Sequence, residues 1–239
     1  MTRASAWLAA TAFLVGGCYG LGAGVKLPPL ETARDFLVAH QTEDPGYGLY
    51  SYLLFGSPPT PASRERYLAA IAAYVDFISR RQDLEAYVPR AQVNITYLFL
   101  TESPPTEVAS LRAGDLPAGA DMAPAQWLLD HFDYARARAV LHAIPGAHVE
   151  GPYIVSALVP MNATTAASAG HLEQDLSHVP PEFAAAWVKT FLAQSGQPNT
   201  WSSGTVQQAA LTLRQTLSVA ADKWPPIRRS LQKWITWAG

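Results

Sequence analysis

One cysteine among 239 residues leaves no partner for an intrachain disulfide. Charged residues make up only 15% of the chain, against 49% hydrophobic, and that balance excludes a disordered, charge-rich tail protein. There is no excess of base: seventeen Lys and Arg face nineteen Asp and Glu, for a net charge of −2. Nothing here neutralises a phosphate backbone, so nucleic acid is not an expected partner. Mean hydropathy is +0.03, far below that of a polytopic membrane protein. No Gly-x-Ser-x-Gly elbow, phosphate-binding loop or dinucleotide fingerprint occurs, and no cofactor is expected.

What is present begins at the amino terminus. Arg3 is followed by an apolar stretch, Ala4 to Val15, and then by Gly16 and Gly17 immediately before Cys18. A basic start, a short apolar run and small residues at the end form the pattern of a secretory signal. Leu14-Val15-Gly16-Gly17-Cys18 resembles the lipobox of bacterial lipoprotein signal peptides. The resemblance covers only this segment. It implies that the peptide is removed, that Cys18 becomes the first residue, and that its thiol carries a diacylglycerol. A lone thiol outside the cytosol is a liability unless consumed, and lipidation consumes it. Each buried lipid methylene contributes about 0.8 kcal/mol, so two acyl chains hold where one would not. Gly16, Gly17, Gly20, Gly22 and Gly24 argue against a spanning helix over the same stretch. Tyr19, where an Asp would favour retention in the inner membrane, implies the periplasmic face of the outer membrane.

The expected organisation is a signal over 1–17, a Gly- and Pro-rich tether over 18–29, and one domain over 30–239 with carboxy-terminal helices from about 180. Leu30, Ala33, Phe36, Leu37 and His40 recur at helical spacing and predict a short first helix. Tyr47 to Phe55 predicts a strand covered on both faces. A helix follows over Ser63 to Arg81, with Ser63 as its cap. Val93 to Leu100 is a second strand, a helix starts near Pro124 and runs to Pro145-Gly146, and Tyr153 to Val159 is a third strand. Phe183, Trp187 and Phe191 mark a helix over Pro181 to Gln194. Val206 to Trp224 and a segment bearing Ile227, Leu231 and Trp234 predict two more. Strands alternating with helices predict a mixed α/β domain: a small, largely parallel sheet of about three strands, flanking helices and a helical carboxy-terminal part.

Parallel sheets bind ligands beyond the carboxyl ends of their strands. By that rule Ser57, Thr60, Arg64, Glu102, Asn162 and Thr164 form a polar rim suited to a glycan or peptide, although such residues also serve as ordinary caps and turns. A helical reading of 170–178 would put His171, Asp175 and His178 on one face, a weak metal-binding candidate. Trp224, Trp234 and Trp237, beside Arg228, Arg229 and Lys233, offer a partner interface if they are not core. The expected protein is a non-enzymatic, lipid-anchored envelope protein. It binds a protein partner or a polar cell-wall ligand, as an accessory subunit of a larger assembly. The alternative is a periplasmic hydrolase of glycan or peptide using Glu102 or Asp175 as its acid/base.

Overall fold

Where the spacing of Leu30 to His40 predicts a helix, the chain instead forms β1 (Glu31–Val38). The computed structural model describes residues 28–115, 122–144, 147, 151–162, 164–166 and 170–202. The other strands are β2 (Leu49–Leu54), β3 (Ser79–Arg80), β4 (Val93–Leu100), β5 (Tyr153–Ala157) and β6 (His171–Asp175). They form one mixed six-stranded sheet in the order β3-β1-β4-β2-β5-β6. Pairing with β4 along all eight residues of β1 is what overrides the local helical spacing.

The two most apolar runs behave as their composition predicts. Every residue of β2 and β4 is buried, because helices or loops cover both faces of the sheet. The first four strands in the order are parallel, but β5 runs antiparallel to β2 and β6 antiparallel to β5. The expected three-strand, largely parallel sheet is therefore doubled in size and mixed. β6 alternates: Leu172 and Gln174 are buried, while His171, Glu173 and Asp175 face outward to varying degrees. That period of two belongs to a strand with one face on the core, not to a helix.

Helix α1 (Arg64–Phe77) buries Tyr67, Ala70, Ile71, Tyr74 and Val75. Ser63 does not cap it; the Ser63 hydroxyl instead accepts from the Thr60 amide at 2.9 Å. Short helices α2 (Arg81–Leu84) and α3 (Thr106–Ala109) follow. The single helix expected after Pro124 is two, α4 (Ala123–Asp130) and α5 (Tyr134–Ala143). The end of β4 enters between them. Thr101 donates its amide to the His131 carbonyl at 2.9 Å, and the Asp133 amide donates to the Phe99 carbonyl at 3.0 Å. The Asp133 carboxylate then caps α5 by accepting from the Arg136 amide at 2.9 Å. Helix α6 (Pro181–Ser195) begins with proline in its first turn, as predicted, and α7 (Pro198–Ser202) closes the described chain.

Helices α1, α4 and α6 pack on one side of the sheet, and α2 and α5 on the other. β1 and β2 are parallel yet separated by β4, so residues 39–48 must carry the chain back past it. Val38 is level with Leu100 and Leu49 with Asn94, a return of about 20 Å at ~3.3 Å per residue. No helix makes this crossing. An extended strap does, lying over the tyrosine-lined side where Tyr52 and Tyr97 pack at 6.0 Å and Tyr52 and Phe99 at 5.7 Å. Among the described residues no helix is long and apolar enough to cross a membrane. Cys18, Trp224, Trp234, Trp237 and the last two predicted helices lie outside the described residues.

Candidate functional site

The strap creates the site. Where it leaves β1 it stands off the sheet over a cavity of about 580 Å³, at the carboxyl ends of β1 and β4. That volume falls in the range of small-ligand sites, about 300–1,000 Å³. Residues line it from four places: Asp35 on β1, Tyr97 on β4, His40, Gln41, Thr42 and Asp44 on the strap, and Arg81 at the start of α2.

Arg81 organises the charge. One guanidinium nitrogen contacts Asp35 at 2.9 Å and Asp44 at 2.6 Å. Asp44 also approaches Arg90 at 3.7 Å, and Arg90 pairs with Glu85 at 2.8 Å and lies over the Tyr47 ring. On the other side of the strap Glu43, almost fully buried, faces Arg136 at 3.6 Å, and Arg136 stacks on Phe99. Neighbouring acidic residues of the strap are thus tied in opposite directions, to α2 and to α5. Burial raises the Asp35 carboxyl above its usual range, against the pull of Arg81 and of the Phe36 amide that donates to it. Burial likewise raises the Tyr97 hydroxyl. His40 adopts φ 69°, the one non-glycine residue in the left-handed region among those described. A left-handed backbone and a half-buried carboxyl of raised pKa in the same cavity are features that cluster at functional sites.

A group with a raised folded-state pKa stabilises the protein below its unfolded pKa and loses that contribution as pH rises through the folded value. Asp35 therefore costs stability at neutral pH. Asp35→Asn is expected to be more stable than the natural chain near pH 7, with the difference closing toward about pH 3. Urea midpoints at both pH values check this. A variant less stable at neutral pH would mean that the Arg81 pair outweighs burial.

The rim expected from the sequence is only partly assembled. Ser57, Thr60, Arg64 and Glu102 do follow the carboxyl ends of β2 and β4, where Arg64 donates to Gln126 at 2.6 Å and Glu102 meets His131 at 3.2 Å. Asn162 and Thr164 follow β5, which runs the other way, so they leave from the opposite end of the sheet. Asn162 accepts from the amides of Thr164 and Thr165 at 2.9 and 3.0 Å, a turn of the ordinary kind. None of the six lines the cavity. His171 and Asp175 lie on a strand and His178 beyond it, and no three metal-ligating side chains converge among the described residues. Asp175 accepts from the Ser177 amide at 2.7 Å. Sequence reasoning missed Asp35 because it placed 30–40 on a helix, Asp44 because it read as part of a turn, and Arg81 because it read as the end of the helix from Ser63, which in fact stops at Phe77. The adjacent charges Arg34 and Asp35, set directly before the apolar run Phe36 to Ala39, were the available signal.

Comparison with known proteins finds no matching family model, no similar curated protein and no similar solved structure.

Proposed function

We propose that this chain is a lipid-anchored cell-envelope binding protein, held by acylated Cys18 at the periplasmic face of the outer membrane. Its cavity takes a segment of a protein partner or a polar cell-wall ligand. The observation that carries the binding reading is the cavity itself: a polar, charge-lined recess at the strand ends, with Asp35, Asp44 and Arg81 held in place before any ligand arrives. The address rests on Leu14 to Cys18 alone. In this reading the protein is an accessory subunit that recognises and does not convert.

Hydrolysis of glycan or peptide is the second reading, and one observation favours it: a half-buried carboxyl in a cavity, with its pKa raised. Glu102 and Asp175 do not line that cavity, so the chemistry would fall to Asp35. Asp35 and Asp44 both give an oxygen to one guanidinium, an arrangement suited to holding charge more than to donating a proton.

One preparation tests both parts. The full chain is isolated in detergent from a bacterial host that lipidates exported proteins. Intact mass is expected to show loss of residues 1–17 and a diacylglycerol on Cys18; a retained Met1 with an unmodified thiol overturns the address. The same material is titrated calorimetrically with short peptides and with peptidoglycan glycan fragments. Binding of either class, weakened by Asp35→Asn and without turnover, is the expected result. Turnover that Asp35→Asn abolishes replaces binding with hydrolysis, and silence toward both classes overturns the binding reading.

A further inference from the structure

β3 is only two residues long and pairs with β1 at Ala33 and Arg34 alone. From Asp35 to Val38, among the described residues, β1 has a strand neighbour on the β4 side only. Backbone groups two residues apart in a strand point to the same side, and those of Phe36 and Val38 point away from β4. Each of their amides takes a side-chain acceptor where a strand would stand: Asp35 Oδ1 at 3.0 Å for Phe36, and Gln41 Oε1 at 3.1 Å for Val38. The carbonyl of Asp35, one step out of phase, points the other way and accepts from the Tyr74 hydroxyl at 2.6 Å, as that alternation requires.

The cavity meets this edge directly. Four consecutive residues, Asp35 to Val38, line it. Side chains on a strand alternate between faces, so a recess that touches four in a row reaches the backbone of β1 as well as its side chains. An edge of that length spans about 10–13 Å, enough for three or four residues of an added strand at ~3.3 Å each. Proteins blunt open edges with proline, lysine or a covering loop. Here the start of α2 meets the edge through Arg81, and the amides themselves are covered only by two side-chain acceptors: the exposed Gln41, and one oxygen of Asp35, whose other oxygen stays with Arg81.

We propose that the edge of β1 at Phe36–Val38 docks an extended peptide carrying a basic side chain, by adding it as a strand beside β1. This rests on the binding reading above and names its ligand class. Backbone carbonyls of the peptide replace Asp35 and Gln41 as acceptors for the Phe36 and Val38 amides, so no hydrogen bond is lost on exchange. Release from the Phe36 amide frees an Asp35 oxygen. Two carboxylates and a single guanidinium, Asp35 and Asp44 with Arg81, then face the cavity, an excess of negative charge that a Lys or Arg of the peptide offsets.

The probes are three capped pentapeptides: Val-Lys-Val-Lys-Val, its Glu counterpart, and the Lys peptide with alternate backbone nitrogens methylated. The detergent-solubilised full chain is titrated with each, and amide exchange at Phe36 and Val38 is followed by NMR. The Lys peptide is expected to bind about tenfold more tightly than either of the others and to slow exchange at both amides. Gln41→Ala, which removes the resident acceptor, is expected to tighten the Lys peptide. A cap with a purely protective role would give no such gain. Asp35→Asn is expected to erase the preference for Lys over Glu. Equal binding of the methylated peptide, or binding that leaves both amides exchanging as before, overturns strand addition. Glycan fragments binding while all three peptides fail overturns this inference and leaves the binding reading standing; failure of glycans and peptides together removes both.

Discussion

Arg34→Met is expected to destabilise the protein by about 3–5 kcal/mol, a loss large enough to unfold many domains of this size. Arg34 is 2% exposed and, among the described residues, has no carboxylate within ion-pair distance. Its guanidinium donates to the carbonyls of Val75 and Leu111, and to that of Ile78 at 2.6 Å. Val75 and Ile78 lie at the end of α1, where carbonyls have no partner within the helix and the dipole favours a cation. The last turn of α1 contains no basic residue, so β1 supplies one from across the sheet. Burial lowers the Arg34 pKa, as expected of a cation kept out of water. Methionine fills the volume but leaves the buried carbonyls of Val75 and Ile78 and the part-buried carbonyl of Leu111 without this donor. Lysine, a point charge without the planar fork, is expected to recover only part of the loss. Urea midpoints of the three chains decide the matter. A methionine variant within about 1 kcal/mol of the natural protein would show that these carbonyls find water or another donor.

Gly48→Ala is expected to cost about 2–3 kcal/mol, and to loosen the strap more than the rest of the sheet. Gly48 ends the crossing from β1 and leads into β2. Its amide donates to both the Arg90 and Val93 carbonyls at 3.1 Å, which draws the backbone onto the turn before β4. A Cβ at this position would lie inside van der Waals contact of the Ala91 carbonyl oxygen, with its carbonyl carbon and Leu30 at 3.2 Å. The backbone oxygen cannot rotate away, so the strap or the turn must shift. Since Asp44 rides on the strap, the shift also moves a charge that lines the cavity. The expected signature is faster amide exchange over 39–48 together with a lower urea midpoint. A variant whose strap exchanges as slowly as the natural one would mean that the turn absorbs the added methyl.

Legibility followed locality. β2 and β4 announced themselves through apolar residues on both faces, and α6 through Phe183, Trp187 and Phe191 on one stripe. The break between α4 and α5 was not visible beforehand, because the groups that make it, the Phe99 carbonyl and the Thr101 amide, arrive from β4. β6 was hidden by its polarity: only Leu172 and Gln174 point inward, too few to distinguish a strand from a helical face. The candidate site was the least legible part. Asp35 and Asp44 stand nine residues apart on a segment whose apolar spacing mimics a helix, and Arg81 reaches them from beyond α1 and β3.

By itself the chain's order of residues determined the mixed α/β class, the buried central strands and the long helices α1 and α6, because burial pattern and propensity act over a few neighbouring positions. It also carries the lipobox-like start. Strand direction, the mixed sheet, the strap and the gathering of Asp35, Asp44 and Arg81 were decided only in three dimensions. Each depends on backbone groups and charges far apart in the chain finding partners, and a buried polar group must find its partner wherever the fold provides one.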